Sequence, residues 1–162
     1  MKQEITIYPA HEPQHIPHVY ALFQEYADWL GIDLSYQNFE QELANLPGAY
    51  APPTGAVFLA ALKGRIAGCV ALRPLGEGIC EMKRLYVRPA FQGHGLGRQL
   101  AELIITAGHE RGYHRMVLDT LDRMQAAQAL YASLGFREIE SYYQNPLDGV
   151  HFMELVFRGG AQ

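Results

Sequence analysis

The chain has 162 residues, 49% of them hydrophobic and 19% charged, which fits a single folded domain over residues 1–162 rather than a disordered chain. Its formal net charge of −4 argues against a nucleic-acid backbone as the main partner. Cys69 and Cys80 are the two cysteines, too few for a disulfide framework and without metal-ligand spacing. No run of about 18 apolar residues suits a membrane span, and the first residues lack the apolar stretch of a signal peptide. The expectation is a cytoplasmic protein with no membrane partner.

Residues Glu4 to Tyr8 alternate, with Ile5 and Ile7 on one face, and predict a first strand ended by Pro9. From Ile16 to Leu30 the apolar positions Val19, Phe23, Tyr26, Ala27 and Leu30 follow a helical period. Pro17 suits the first turn of that helix and Gly31 its end. A shorter helix carrying Phe39, Leu43 and Leu46 is predicted next, with Ser35 as its cap and Pro47-Gly48 as its stop. Val57 to Leu62 and Ile66 to Leu72 form a hairpin around Lys63-Gly64, and Ile79 to Val87 forms a further strand.

A helix then runs from the glycine cluster at Gly93, Gly95 and Gly97 to about Glu110. Arg115 to Thr120 reads as a short buried strand and Met124 to Leu134 as a helix ended by Gly135. Two last strands, Phe136 to Ser141 and Val150 to Phe157, enclose turn signals at Asn145-Pro146 and Asp148-Gly149. The order β-α-α-β-β-β-α-β-α-β-β implies a mixed sheet flanked by helices, an α/β (α+β) architecture.

Strand, glycine loop and helix in succession make a site for an anion. Glycine permits positive φ and leaves no Cβ in the way, while the first N–H groups of a helix lack partners and carry its positive dipole end. A Walker-type loop would close with Gly-Lys-Ser/Thr, and this one closes with Gly97-Arg98-Gln99. A dinucleotide fingerprint would need a third glycine where Arg98 stands and a strand ending directly at the loop. Asp119, about 20 residues downstream, is the one feature that suits it.

The pattern Gln92-x-x-Gly95-x-Gly97, preceded by Leu85-Tyr86-Val87-x-Pro89, resembles the acetyl-CoA loop of the GNAT superfamily of N-acetyltransferases. Ala127-x-x-Leu130-Tyr131-x-x-x-Gly135-Phe136 resembles the helix and strand that this family sets beside the cofactor's sulfur. The resemblance covers about Gly55 to Phe157 and implies a sheet of about seven strands flanked by about four helices. It implies an acetyl-CoA-dependent N-acetyltransferase acting on an amine of a small molecule or peptide by direct attack in a ternary complex. It also implies cofactor contacts from Leu85, Tyr86 and Val87, and from Gln92, Gly93, His94, Gly95, Leu96, Gly97 and Arg98.

By the same resemblance Tyr131 is the acid that protonates the departing thiolate; the alternative is a core tyrosine among Ala127, Leu130 and Leu134. Glu81, eleven residues before Gln92, stands where some members carry a general base; the alternative is a solvated or salt-bridged strand carboxylate beside Lys83 and Arg84. Met124 occupies a position where many relatives carry asparagine. The acceptor pocket is expected from Trp29, Asp33, Tyr36 and Phe39 together with the final hairpin. Tyr142 and Tyr143 could face that pocket, a second copy of the chain in a homodimer, or a packed strand end. No metal is expected, because prolines interrupt the spacing of His11, His15 and His18. Cys80 reads as a buried small hydrophobe rather than a nucleophile. A non-catalytic acyl-CoA sensor and a nucleotide-binding oxidoreductase are the competing functions.

Overall fold

In a computed structural model, which describes residues 4–31, 34, 38–145 and 147–157, the elements follow the order read from the sequence. The first half comprises β1 (Ile5–Pro9), α1 (Ile16–Leu30), α2 (Phe39–Ala44), β2 (Ala56–Leu62) and β3 (Arg65–Gly76). The second comprises β4 (Ile79–Val87), α3 (Leu96–Glu110), β5 (Arg115–Leu121), α4 (Gln125–Ser133), β6 (Arg137–Ile139) and β7 (Val150–Val156). Seven strands form one sheet in the order β1-β2-β3-β4-β5-β7-β6. Among the described residues, β4 and β5 are the one parallel pair.

Local chemistry explains most boundaries. Pro9 ends β1 as expected but lies within the strand, since β1 is an outer strand and pairs on one side only. Lys63 and Gly64 take φ of 52° and 79°, the turn that matches the twist of a tight hairpin. Asn38, itself at φ 57°, precedes α2 without a side-chain cap. Ser35, the predicted cap, lies outside the described residues, as do Asp33, Tyr36 and Pro146. β3 runs to Gly76, beyond the predicted Leu72, because Arg73 lies opposite Glu81 on β4. That partner is invisible to local periodicity.

The sheet buries two different faces. On one, Leu96, Leu100 and Ile104 of α3 pack on Val70, Met82, Met116 and Leu118. On the other, Val19, Leu22 and Phe23 of α1 pack on Val57, Leu59 and Cys69. Full burial of each such side chain is worth about 1.5–3 kcal/mol. Cys80 is fully buried and both cysteines are free.

β4 and β5 pair for only three residues, Ile79 with Arg115, Cys80 with Met116 and Glu81 with Val117. Beyond that they part. The register between β4 and β3 also shifts, between Cys69 and Ala71, and Arg84 there adopts φ 61°. This bulge turns the buried Arg84 side chain toward α1 and α2. Its Nε and Nη2 donate to both carboxylate oxygens of Glu42 at 3.1 and 2.8 Å, and its guanidinium lies 5.1 Å from the Phe39 ring centroid. A short helix with no cap is thereby fastened to the middle of the sheet.

Removing one partner of such a buried pair leaves a charge without compensation. We therefore expect Glu42→Ala to lower unfolding free energy by about 3 kcal/mol in a denaturant titration, and a loss under about 0.5 kcal/mol would show that water replaces the carboxylate.

Candidate active site

The parting of β4 from β5 opens a narrow slot in the middle of the sheet. It is lined by Lys83 and Leu85 of β4, Asp119 of β5, Met124 and Tyr131 beside and on α4, and Tyr26 of α1. Its enclosed volume is only about 20 Å³, so it is a cleft between strands and not a chamber. On the far side of β4 the ladder to β3 continues as far as Val87. The edge of β4 that faces the slot is thus free of strand partners from Met82 onward.

At the end of β4 a short turn, Pro89–Phe91, leads into the glycine loop. Gln92 Nε2 folds back to donate to Val87 O at 3.1 Å, which ties the loop to the strand end. Gly93 and Gly95 hold φ of 88° and 79°, conformations that other residues adopt only under strain. A Cβ added at Gly93, Gly95 or Gly97 would meet no protein atom within 4 Å, so these glycines leave open space above the loop. Gly95 precedes α3 with no side-chain cap, and Gln99 N–H is bonded to Gly95 O at 3.1 Å. The amides from Gly95 to Arg98 are the ones a helix start leaves without intrahelical partners. Arg98 Nη2 donates to Ser133 Oγ at 2.7 Å, joining α3 to α4.

Tyr131 is both a core residue and part of the slot wall. Its ring is buried 5.8 Å from Phe136, yet it lines the slot. Burial pushes its phenol above the usual range, and the nearby Tyr26 and Asp119 add to that. Met124, at the start of α4, also lines the slot, with its sulfur 3.8 Å from Thr120 Oγ1.

The α2 side of the same region is charged. Glu81, 1% exposed, accepts from Arg73 Nε at 2.7 Å on one oxygen and from Tyr142 Oη at 2.5 Å on the other. Burial alone would raise its pKa; Lys83, then Arg73, and the two hydrogen bonds outweigh this and hold it below the ordinary carboxylate range. Tyr143 Oη donates to Asp119, and both tyrosine rings meet Phe152 edge-on. A cavity of about 400 Å³ opens here, with Glu42, Arg73, Glu81, Lys83, Tyr142 and Tyr143 in its wall. Lys83 lines this cavity and the slot, so the two meet at that residue.

The structure thus brings Glu81, Tyr131 and the Leu85–Val87 edge to one region, next to the loop from Gln92 to Arg98. Of the residues expected around an acceptor, Tyr142 and Tyr143 face the cavity. Trp29 and Phe39 do not line it: Trp29 is half-exposed against Tyr86, and Phe39 packs under Arg84. Their places are taken by Arg73, Lys83 and Glu42. No local motif marks those three, and cross-strand pairing with Glu81 was the only signal that could have found Arg73. Among the described residues no group of three or more His, Cys, Asp or Glu side chains is placed to hold a metal.

Comparison with known proteins agrees with this geometry. The profile of the Acetyltransferase (GNAT) family matches residues 16–136, and the chain belongs to that family. An uncharacterized N-acetyltransferase of Schizosaccharomyces pombe is 45% identical over 153 residues, covering 93% of this chain and 94% of the relative. Among solved structures, a GNAT-family acetyltransferase from Staphylococcus aureus superposes with a TM-score of 0.78 at 21% identity, covering 94% of this chain and 99% of the other. A GNAT-family acetyltransferase from Elizabethkingia anophelis, solved with acetyl-CoA bound, has a TM-score of 0.68 at 24% identity, covering 96% and 100%. The chain is an N-acetyltransferase with the seven-stranded mixed sheet of that family.

The ionised Glu81 has a lowered pKa in the folded chain, so its contribution to stability is present above its unfolded pKa and lost as pH falls through the folded value. Glu81→Gln should therefore cost most at neutral pH, and the gap from the parent chain should narrow in unfolding measurements carried into the acid range. A gap that is constant with pH would show that the carboxylate is not held ionised by its neighbours.

Proposed function

We propose that this chain transfers the acetyl group of acetyl-CoA directly to the amine of a small molecule or peptide, with both substrates bound together. The observation that carries the reading is the edge of β4 beyond its pairing with β5, which borders the slot that Tyr131 also lines and leads into the glycine loop before α3. The residues fit acetyl-CoA. The open space over Gly93, Gly95 and Gly97 and the amides at the α3 start suit a pyrophosphate, with Arg98 as a nearby positive charge. The loop from Gln92 through His94 to Arg98 would hold that group, and the Leu85–Val87 edge would accept and donate hydrogen bonds to the pantetheine amides. When bound, the thioester supplies an activated acetyl group and a thiol leaving group.

The chain's own groups then have defined tasks. A backbone N–H from the Leu85–Val87 edge donates to the thioester carbonyl, in a cleft where water screens little. Tyr131, kept protonated at neutral pH by burial, delivers its proton to the departing sulfur. Glu81 was the sequence-based candidate for the base. Both of its oxygens are engaged and its basicity is reduced, which favours its alternative role as a fixed countercharge for Arg73 and Lys83. The amine's proton then leaves by water in the cavity beside Tyr142 and Tyr143.

The direct test is thiol release from acetyl-CoA with a panel of primary amines, with product masses determined in parallel. Tyr131→Phe should lower kcat about 100-fold or more while acetyl-CoA affinity by calorimetry stays within about twofold. Unchanged turnover would remove Tyr131 as the acid. Glu81→Gln should leave the acidic limb of the pH–rate profile in place; a shifted limb would restore Glu81 as the base. Acetyl-CoA binding with no turnover on any amine would favour the sensing function instead.

A further inference from the structure

Arg73 is held by only part of its guanidinium. Nε donates to Glu81 Oε1 at 2.7 Å, while among the described residues Nη1 and Nη2 have no protein partner. The side chain is 38% exposed, so those two nitrogens are open to a ligand. The ion pair with Glu81, directly opposite on β4, sets the plane of the group. It stands in the wall shared by the cavity of about 400 Å³ and a second one of about 240 Å³. Asn38 and Glu42 line both as well, which makes the two cavities one continuous groove.

Next to Arg73, the phenol of Tyr50 lines the smaller cavity. Tyr50 is 2% exposed, and its hydroxyl lies beside the Glu42 carboxylate that Arg84 also holds. The outer nitrogens of Arg73 form a planar charged fork in the wall of this groove. A fork of this shape matches the two oxygens of a carboxylate. The groove continues to Lys83, which also borders the slot where transfer takes place, so an acceptor anchored at Arg73 extends its other end toward that slot. The combined space lies within the ordinary range for small-ligand sites, with room for an amino acid and water beside it.

We propose that the acceptor is an amino acid whose carboxylate is bound by the outer edge of Arg73, so that Arg73 determines acceptor specificity. This rests on the acetyl-transfer reading above. In the reaction the amino nitrogen forms a bond to the acetyl carbon and the carbon–sulfur bond breaks. One amine proton is lost to water, the sulfur gains a proton, and the products are an N-acetylamino acid and free CoA.

The test uses the full chain, acetyl-CoA, the twenty L-amino acids, their α-amides and O-phosphoethanolamine. At least one amino acid should be acetylated with kcat/KM about tenfold or more above that of its amide. Arg73→Gln should raise KM for that amino acid about 10- to 100-fold with little change in kcat, and shrink the preference for the acid over its amide to within about twofold. Arg73→Lys, which keeps the charge beside Glu81 and so guards against misfolding, should give an intermediate rise because the fork is lost. Amides used as well as acids, an acid preference that survives in Arg73→Gln, or O-phosphoethanolamine preferred over every amino acid would each overturn the assignment. If acetyl-CoA binds by calorimetry and only carboxylate-free amines are acetylated, this inference alone fails. If acetyl-CoA does not bind, the acetyl-transfer reading fails with it.

Discussion

The constraint on which the rest depends is the short pairing of the parallel strands β4 and β5. β4 and β5 share three residue pairs and then separate, and the backbone groups of β4 beyond that point must find partners elsewhere. An unpaired strand edge in the middle of a sheet is costly unless something extended lies beside it. Everything needed to make that edge useful is placed around it: the glycine loop at its end, α4 with Tyr131 across the slot, and α1 covering it through Tyr26. A bulge at Arg84 reinforces the arrangement, since it breaks the β3–β4 register and turns a guanidinium toward the helices.

The two faces of the sheet have divided their tasks. Beneath α3 the packing is apolar, and it holds the strands and the loop at fixed distance. On the other face the apolar packing under α1 gives way toward the sheet centre to Glu81, Lys83, Arg84 and Glu154, all buried. Burying so many charges costs free energy unless each is paired, and the pairs here are well made: Arg73 with Glu81, Arg84 with Glu42, and Arg115 and Arg137 with Glu154. Such a network adds little net stability compared with an apolar core. Its value is that polar groups are held rigidly in a place where a polar substrate can use them.

Much of this was legible in the chain. The helix over Ile16–Leu30 and the strand over Ile79–Val87 have periodicity and stop signals that act locally, and both were read with the bounds they have. The glycine loop was legible for the same reason, because positive φ and a capless helix start are properties of a few consecutive residues. The acceptor side was less so. Trp29 and Phe39 were plausible wall residues by position, but Trp29 packs on Tyr86 and Phe39 under Arg84. The length of β3 was underestimated because Arg73 joins the strand through Glu81, and no rule of composition shows a cross-strand partner.

By itself the sequence determined the order of elements, the glycine loop and the family motifs, since each is written in contiguous residues whose conformational preferences act over one or two turns of chain. Only the tertiary structure decided where β4 leaves β5, that Tyr131 is both packed and turned to the slot, and that Glu81 is engaged by Arg73 and Tyr142. Those facts depend on groups brought together from β3, β4, α4 and the loop before β7. Their energies come from burial and from charges at close range, and both exist only once the chain has closed around them.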